Sequence, residues 1–278
     1  MSEGLLRLED ALDRMLEGVA ARATEDVTLG AALGRVLAEE VRARDALPPW
    51  DDSAMDGSAV RSEDVAAASA DRPVVLRVVG EVAAGHAADA SVTPGTALRI
   101  LTGAALPRGA DAVVRVEDTD APAGVAALPA RVGIRVAVPP GAAVRPAGSA
   151  MRAGDRVMVA GTAIAPRHVA ALAAAGRATV RVWLRPRVAI LATGDELVPP
   201  GAPLEGARIP DSSSPGIAAQ VAEAGGVPVP LGIAPDDRDA TGERLRAGNA
   251  PGRTSWWCRV SVGAHDEVRP ALDDVGRG

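Results

Sequence analysis

The sequence predicts a multi-domain α/β protein, and three features of its patterning say so. Apolar residues recur at helical spacing near the start. Short Val-rich runs broken by Gly and Pro fill the middle, and apolar runs alternate with helical stretches from about residue 183. The length, 278 residues, suffices for two or three domains. The chain divides into a helical and linker domain (1–44 with 145–182), a β-rich inserted domain (45–144) and an α/β domain (183–278).

Leu5, Leu8, Leu12, Met15 and Val19 stand three or four residues apart, which lines one apolar stripe along a helix. Residues 28–41 repeat that spacing and predict a second helix. From about residue 45 the helical period stops. Residues 74–79, 97–101 and 112–116 there predict strands. An Ala-rich helix starts near Pro166 and ends at Gly176. Residues 187–192 form an apolar run typical of a strand buried on both faces. A helix follows from about Pro215 to the Gly225 and Gly226 pair, then a second strand at 227–233 and a second helix at 236–246. Such alternation implies a parallel sheet with crossover helices, whose ligand-holding loops follow the carboxyl ends of the strands. Here those loops read TGDEL and PDD.

Composition excludes several classes. A formal net charge of -6 without any basic run argues against a nucleic-acid or anionic-membrane partner. No window reaches the roughly 18 apolar residues of a membrane helix, and charges interrupt the apolar positions of the N-terminal segment, so it does not read as a signal peptide. The single Cys258 rules out an internal disulfide and fits a reducing, cytoplasmic setting. With no Phe and no Tyr, Val, Leu, Ile and Ala must build the core.

Six segments carry candidate chemistry. DDSAMDGSAVR (51–61) crowds Asp51, Asp52 and Asp56 between two Pro and Gly57, and such carboxylates cannot sit unpaired in a core; a solvated acidic loop is the plain alternative. Thr102 and Gly103 follow a strand, where a hydroxyl and backbone N–H groups can hold a phosphate or oxyanion, or simply turn the chain. In TGDEL (193–197), Thr193 and Gly194 end the buried strand, and Asp195 and Glu196 offer oxygen ligands of the kind Mg²⁺ takes; Asp195 also suits a turn cap. DSSSP (211–215) places Ser at a helix cap and Pro at the first helical position, so Ser212 and Ser214 stand where phosphate binds, or where a helix merely starts. Asp236 of PDD is either a ligand or a first-turn acid, and Asp266 closes VSVGAHD (260–266). His86, His168 and His265 show no metal-ligand spacing.

Taken together these segments resemble the molybdopterin molybdenumtransferase (MoeA) family. DDSAMDGSAVR is similar to its P-P-F-D-N-S-A-M-D-G-Y-A-V-R, with Trp50, Asp52 and Ser58 as departures, and residues 99–114 to its R-I-M-T-G-A-P-L-P-x-G-A-D-A-V-V. The resemblance implies a partial three-layer, MogA-like molybdopterin-binding domain over 183–278. It implies insertion of molybdate into adenylylated molybdopterin with Mg²⁺. It assigns catalytic roles to Asp56, Thr102, Glu196, Asp236 and Asp266, metal ligation to Glu196 and Asp236, and substrate contacts to Gly103, Thr193, Gly194, Ser212 and Ser214. It also implies a homodimer, with molybdopterin adenylyltransferase as the upstream partner.

Two departures bear on activity. Where the family carries G-E-D, residues 145–150 read R-P-A-G-S-A, without the carboxylate. Where it carries an apolar run ending S-G-G, residues 253–259 read RTSWWCR, and the chain ends at Gly278, so it reads as C-terminally truncated. The alternative to the enzyme is therefore a non-catalytic remnant that keeps dimerisation or weak pterin binding. Codons for R-T-S-W-W-C such as CGG-ACG-TCG-TGG-TGG-TGT, read one base earlier, give an apolar Val run, so the segment at 249–259 reads as a local frame slip. Resequencing the gene from the codon for Gly248 onward is expected to show a base error there; an uninterrupted frame sinks that reading.

Overall fold

The computed structural model describes residues 7–17, 23–121, 124, 127–248, 255–258 and 267–275. The chain forms two compact units: residues 40–160 with 167–178, and residues 1–39 with 161–166 and 179–278. The residues expected as a helical and linker domain are shared between them.

The first unit is built on a five-stranded mixed sheet in the order Ala112–Arg115, Gly57–Val60, Thr96–Ile100, Val74–Val82, Arg131–Ile134. The three expected strands are there with slightly different ends, and all pairings are antiparallel except that of Val74–Val82 with Thr96–Ile100. Successive side chains on a strand leave on opposite faces, and both faces here are covered. Val60, Ala97, Val114 and Leu76 fall in one buried cluster, while Ala59, Leu98, Val113 and Val82 fall in the other. That two-sided burial lets a protein with no Phe or Tyr keep its small aliphatic residues fully out of water.

Gly57 explains part of the sheet's geometry. It opens its strand opposite both Ile100 and Arg115. A Cβ there would collide with the Val114 carbonyl oxygen, which is backbone and cannot swing away. Only glycine permits the two strands to close up directly after Asp56.

In the second unit three parallel strands stand in the order Val227–Ala234, Arg187–Thr193, Ser255–Cys258. The central strand is buried along Val188, Ala189, Ile190, Leu191 and Ala192, as its unbroken apolar run requires. Among the described residues Pro228 and Pro230 lie on an edge strand, the place where a missing N–H costs no ladder bond. Helices Ser213–Glu223 and Arg238–Gly248 supply the connections, and Val268–Val275 packs against the second of them. Ser255–Cys258 adds a third strand, parallel to Arg187–Thr193, within the segment read as a frame slip.

One expected helix does not exist. Helix Leu8–Leu16 forms, but residues 28–41 contain only a short 3-10 turn at Leu29–Ala31 followed by irregular bridges. The backbone N–H groups go elsewhere: Gly34 donates to Ile164 (2.9 Å), Leu37 to Thr162 (3.0 Å) and Ala38 to Arg181 (3.0 Å). Gly34 has φ +73°, outside helical space, and Leu37 is buried without a helix around it. The adjoining strand Thr24–Thr28 pairs antiparallel with Thr179–Trp183. Among the described residues no helix is long and apolar enough to cross a membrane.

Two glycine replacements separate these constraints. Gly57→Ala is expected to destabilise the protein by about 1–3 kcal/mol through overpacking. Gly216→Ala, on an open helical position where nothing lies within 4 Å, is expected to stabilise by about 0.5–1 kcal/mol. Urea unfolding of both variants reads the two signs.

Candidate active site

Of the three carboxylates in DDSAMDG, two hold the loop and one is left to act. Asp52, buried to 5% exposure, accepts Arg145 Nε at 2.8 Å and Arg145 Nη2 at 2.7 Å. Asp51 Oδ1 accepts the Ala147 N–H at 2.8 Å. The backbone is pinned on the other side as well, where Ser53 donates to Ala104 and accepts from Gly103, and Asp51 accepts from Leu106. Asp56, at the tip, is exposed.

Asp56 Oδ1 accepts two hydrogen bonds from one residue: the Thr102 backbone N–H at 2.7 Å and the Thr102 hydroxyl at 2.8 Å. The backbone bond and then the hydroxyl bond hold the Asp56 carboxyl below the usual aspartate range, against a small opposing desolvation. Asp56 therefore stays ionised throughout the neutral range. It borders a cavity of about 60 Å³ with Ser58, Arg99 and Thr119, and Arg99 in turn pairs with Glu81. The expectation that Thr102 and Gly103 offer open N–H groups to an oxyanion is corrected: the first is taken by Asp56 and the second by the Ser53 carbonyl at 2.8 Å. A donor already aimed at a carboxylate cannot also serve an anion. Arg99 carried no assigned role in the sequence; the available signal was its place at the head of the 99–114 segment.

The larger feature of the second unit is a cavity of about 680 Å³ at the carboxyl ends of Arg187–Thr193 and Val227–Ala234. Its wall is mostly aliphatic, with Ile190, Val198, Pro230 and Ile233, and its charged groups are Asp195, Arg208 and Asp211. Gly194 turns the chain out of the strand with φ +144°, a conformation L side chains rarely adopt. Beyond it Asp195 faces Asp236: the Asp195 N–H donates to Asp236 Oδ2 and the Asp236 N–H to Asp195 Oδ1, both at 3.4 Å.

This geometry redistributes the sequence-derived roles. Glu196 does not line either cavity; its carboxylate folds back over the Cα of Gly194, and its carbonyl accepts the Ile209 N–H at 2.8 Å. Of the two acids in TGDEL, the one that borders the large cavity is Asp195. Thr193, Ser212 and Ser214 do meet, around an adjoining cavity of about 60 Å³, and Ser214 and Gly194 border the large one. Ser212 occupies the N-cap position, as expected, but its hydroxyl makes no capping bond. The helix starts at Ser213, and the buried Asp211 Oδ1 takes the Ser213 and Ser214 N–H groups at 3.1 and 3.0 Å. Asp266 and His265 lie outside the described residues. Among the described residues no group of three or more His, Cys, Asp or Glu could enclose a metal ion.

Comparison with known proteins fits this arrangement. Residues 6–176 match the family described as "MoeA N-terminal region (domain I and II)", and residues 189–252 match "Probable molybdopterin binding domain". The chain belongs to the MoeA family. The molybdopterin molybdenumtransferase of Nostoc sp. is 41% identical over 254 residues, covering 91% of this chain and 57% of the relative. That of Synechococcus elongatus is 37% identical over 286 residues, covering 98% and 68%. A crystal structure of the molybdopterin biosynthesis MoeA protein from Pyrococcus horikoshii superposes with a TM-score of 0.82 at 30% identity, covering 98% of this chain and 67% of that one. The chain thus spans from about half to two thirds of the length of the relatives it matches.

Thr102→Val is expected to raise the Asp56 pKa by removing the hydroxyl bond while leaving the backbone bond, as carboxyl-detected NMR titration would show. The sign follows from linkage. A folded-state value below the ordinary 3.8 contributes stability that is complete above that value and disappears as pH falls through the lower folded one. The variant's deficit should therefore be confined to comparisons made above pH 3.8 and vanish in stronger acid.

Proposed function

We propose that the chain acts in molybdenum cofactor biosynthesis, inserting molybdate into adenylylated molybdopterin. What carries this reading is the cavity of about 680 Å³ at the strand ends, bordered by Asp195, which exchanges backbone-to-carboxylate hydrogen bonds with Asp236, in a member of the MoeA family. A mostly aliphatic wall suits a flat heteroaromatic body, and a few polar groups fix its orientation.

A divalent ion fits in one form only. Mg²⁺ is commonly held by one or two carboxylates, with water and substrate phosphate oxygens completing its shell. Asp195 and Asp236 supply two such carboxylates, and the absence of a larger acidic group among the described residues argues against an ion enclosed by protein alone. When bound, Mg²⁺ would polarise the phosphoanhydride and offset its charge. The protein's own residues do the rest. Gly194 sets the direction in which Asp195 projects, the apolar wall excludes water, and Thr193, Ser212 and Ser214 present hydroxyls from one adjoining recess. Asp56, kept ionised by Thr102, provides a fixed negative charge in the other unit. We further propose that the protein works as a homodimer and receives its substrate from molybdopterin adenylyltransferase.

The purified chain, given adenylylated molybdopterin, molybdate and Mg²⁺, is expected to release AMP and to activate a cofactor-free molybdoenzyme. Asp56→Asn and Asp236→Asn should each lower AMP release by about a hundredfold, the scale of losing one well-placed electrostatic group. Circular dichroism must show both variants folded. Wild-type protein that releases no AMP under these conditions would defeat the enzymatic reading.

A further inference from the structure

We propose that Arg208 is the anion anchor of the large cavity and sets its preference for ligands that end in a phosphoryl group. The inference rests on the functional reading above and adds a residue to it. The sequence offered no way to choose among thirty basic side chains, all of them Arg. The structure does choose.

The argument begins with charge. Two carboxylates, Asp195 and Asp211, line the cavity, and a phosphate entering an aliphatic pocket beside them needs a counter-charge. The start of helix Ser213–Glu223 would ordinarily supply partial positive charge through its open N–H groups. Here that source is spent, because Asp211 Oδ1 takes both the Ser213 and Ser214 N–H groups. A buried carboxylate thus stands where an anion would otherwise dock.

Among the described residues lining this cavity, Arg208 is the one cationic side chain. Several Arg residues around the fold are committed, among them Arg35 to Glu25, Arg145 to Asp52, Arg181 to Asp26 and Arg238 to Asp274. Arg208, by contrast, has no ion-pair partner among the described residues. It is exposed, yet its backbone is placed by the short parallel pairing of Leu197–Val198 with Ile209–Pro210, which ties the Arg208 segment to the end of TGDEL. A guanidinium presents a planar fork of donors that matches two phosphate oxygens at once, and such charge-assisted pairs are about twice as strong as neutral ones. The cavity then has an aliphatic wall for a ring system and a cationic side for its phosphate.

The test compares adenosine and adenosine monophosphate as probes on the full chain, by isothermal titration calorimetry at low salt without Mg²⁺. Wild-type protein is expected to bind the monophosphate at least about tenfold more tightly than adenosine, the ratio a single charge-assisted pair supports. Arg208→Ala should bring that ratio close to one without weakening adenosine binding, and Arg208→Lys should recover part of it. An unchanged ratio in Arg208→Ala overturns the anchor while leaving the cavity reading intact. Wild-type protein that binds both probes equally does the same. Failure of wild-type protein to bind either probe overturns both the cavity reading and the anchor. Because Arg208 is exposed, its variants should melt with the wild type, and a lowered Tm would count the residue as structural and against the proposal.

Discussion

The buried ion pair between Asp52 and Arg145 is the constraint on which the acidic loop depends. Asp52 is almost fully out of water, so its charge is tolerable only because a guanidinium meets both carboxylate oxygens. The pair need not add much net stability, since desolvation offsets much of its attraction and the Arg145 side is half exposed. Its effect is on geometry. With Asp52 locked to one neighbouring segment and Ser53 bonded to another, the next few residues have little freedom, and Asp56 is delivered to Thr102 at hydrogen-bond distance. Gly57 then admits the close approach of Val114, so the loop cannot relax into its own strand.

A comparable logic governs the second unit with different parts. A strand buried along five consecutive residues cannot shift its register without exposing them, so the position of Gly194 is fixed from within the sheet. The positive φ at Gly194 then decides which of the next two acids projects into the cavity. Asp195 does, facing Asp236, while Glu196 curls back over the glycine. The charge arrangement of the site is thus a consequence of one backbone angle at the end of a well-packed strand.

This separates what could be read from the sequence and what could not. The central strand, the Ala-rich helix and the three main strands of the mixed sheet were legible because each carries its own periodic signal, local in the chain. The acidic loop stood out because three carboxylates in six residues need an explanation. Residues 28–41 misled, since apolar spacing says which side chains are buried but not where the N–H groups go. Those groups pair with residues more than a hundred positions away. The choice of Asp195 over Glu196, and of the Asp211 carboxylate over the Ser212 hydroxyl as acceptor for the first helical N–H groups, turned on backbone angles and burial that a list of residue types does not contain.

The missing carboxylate at 145–150 takes on a different meaning in this frame. That segment grips the acidic loop from Leu47 onward: the Ala150 N–H donates to the Leu47 carbonyl, the Gly148 N–H to Pro48, the Ala147 N–H to Asp51, and Arg145 to Asp52. Three of those four contacts are made by backbone N–H groups, which any residue other than proline supplies. Replacing an acid by Ser or Ala there removes a charge from the surroundings of the site but leaves the clamp in place. The fourth contact is stronger here than the family pattern would make it, because position 52 carries Asp where the related motif has Asn, giving Arg145 a full counter-charge. The loss and the gain lie on the same pair of facing segments. The scaffold that presents Asp56 is therefore held by charge pairing and backbone bonds that do not need the absent acid, and what that absence alters is the charge beside the acidic loop rather than its support.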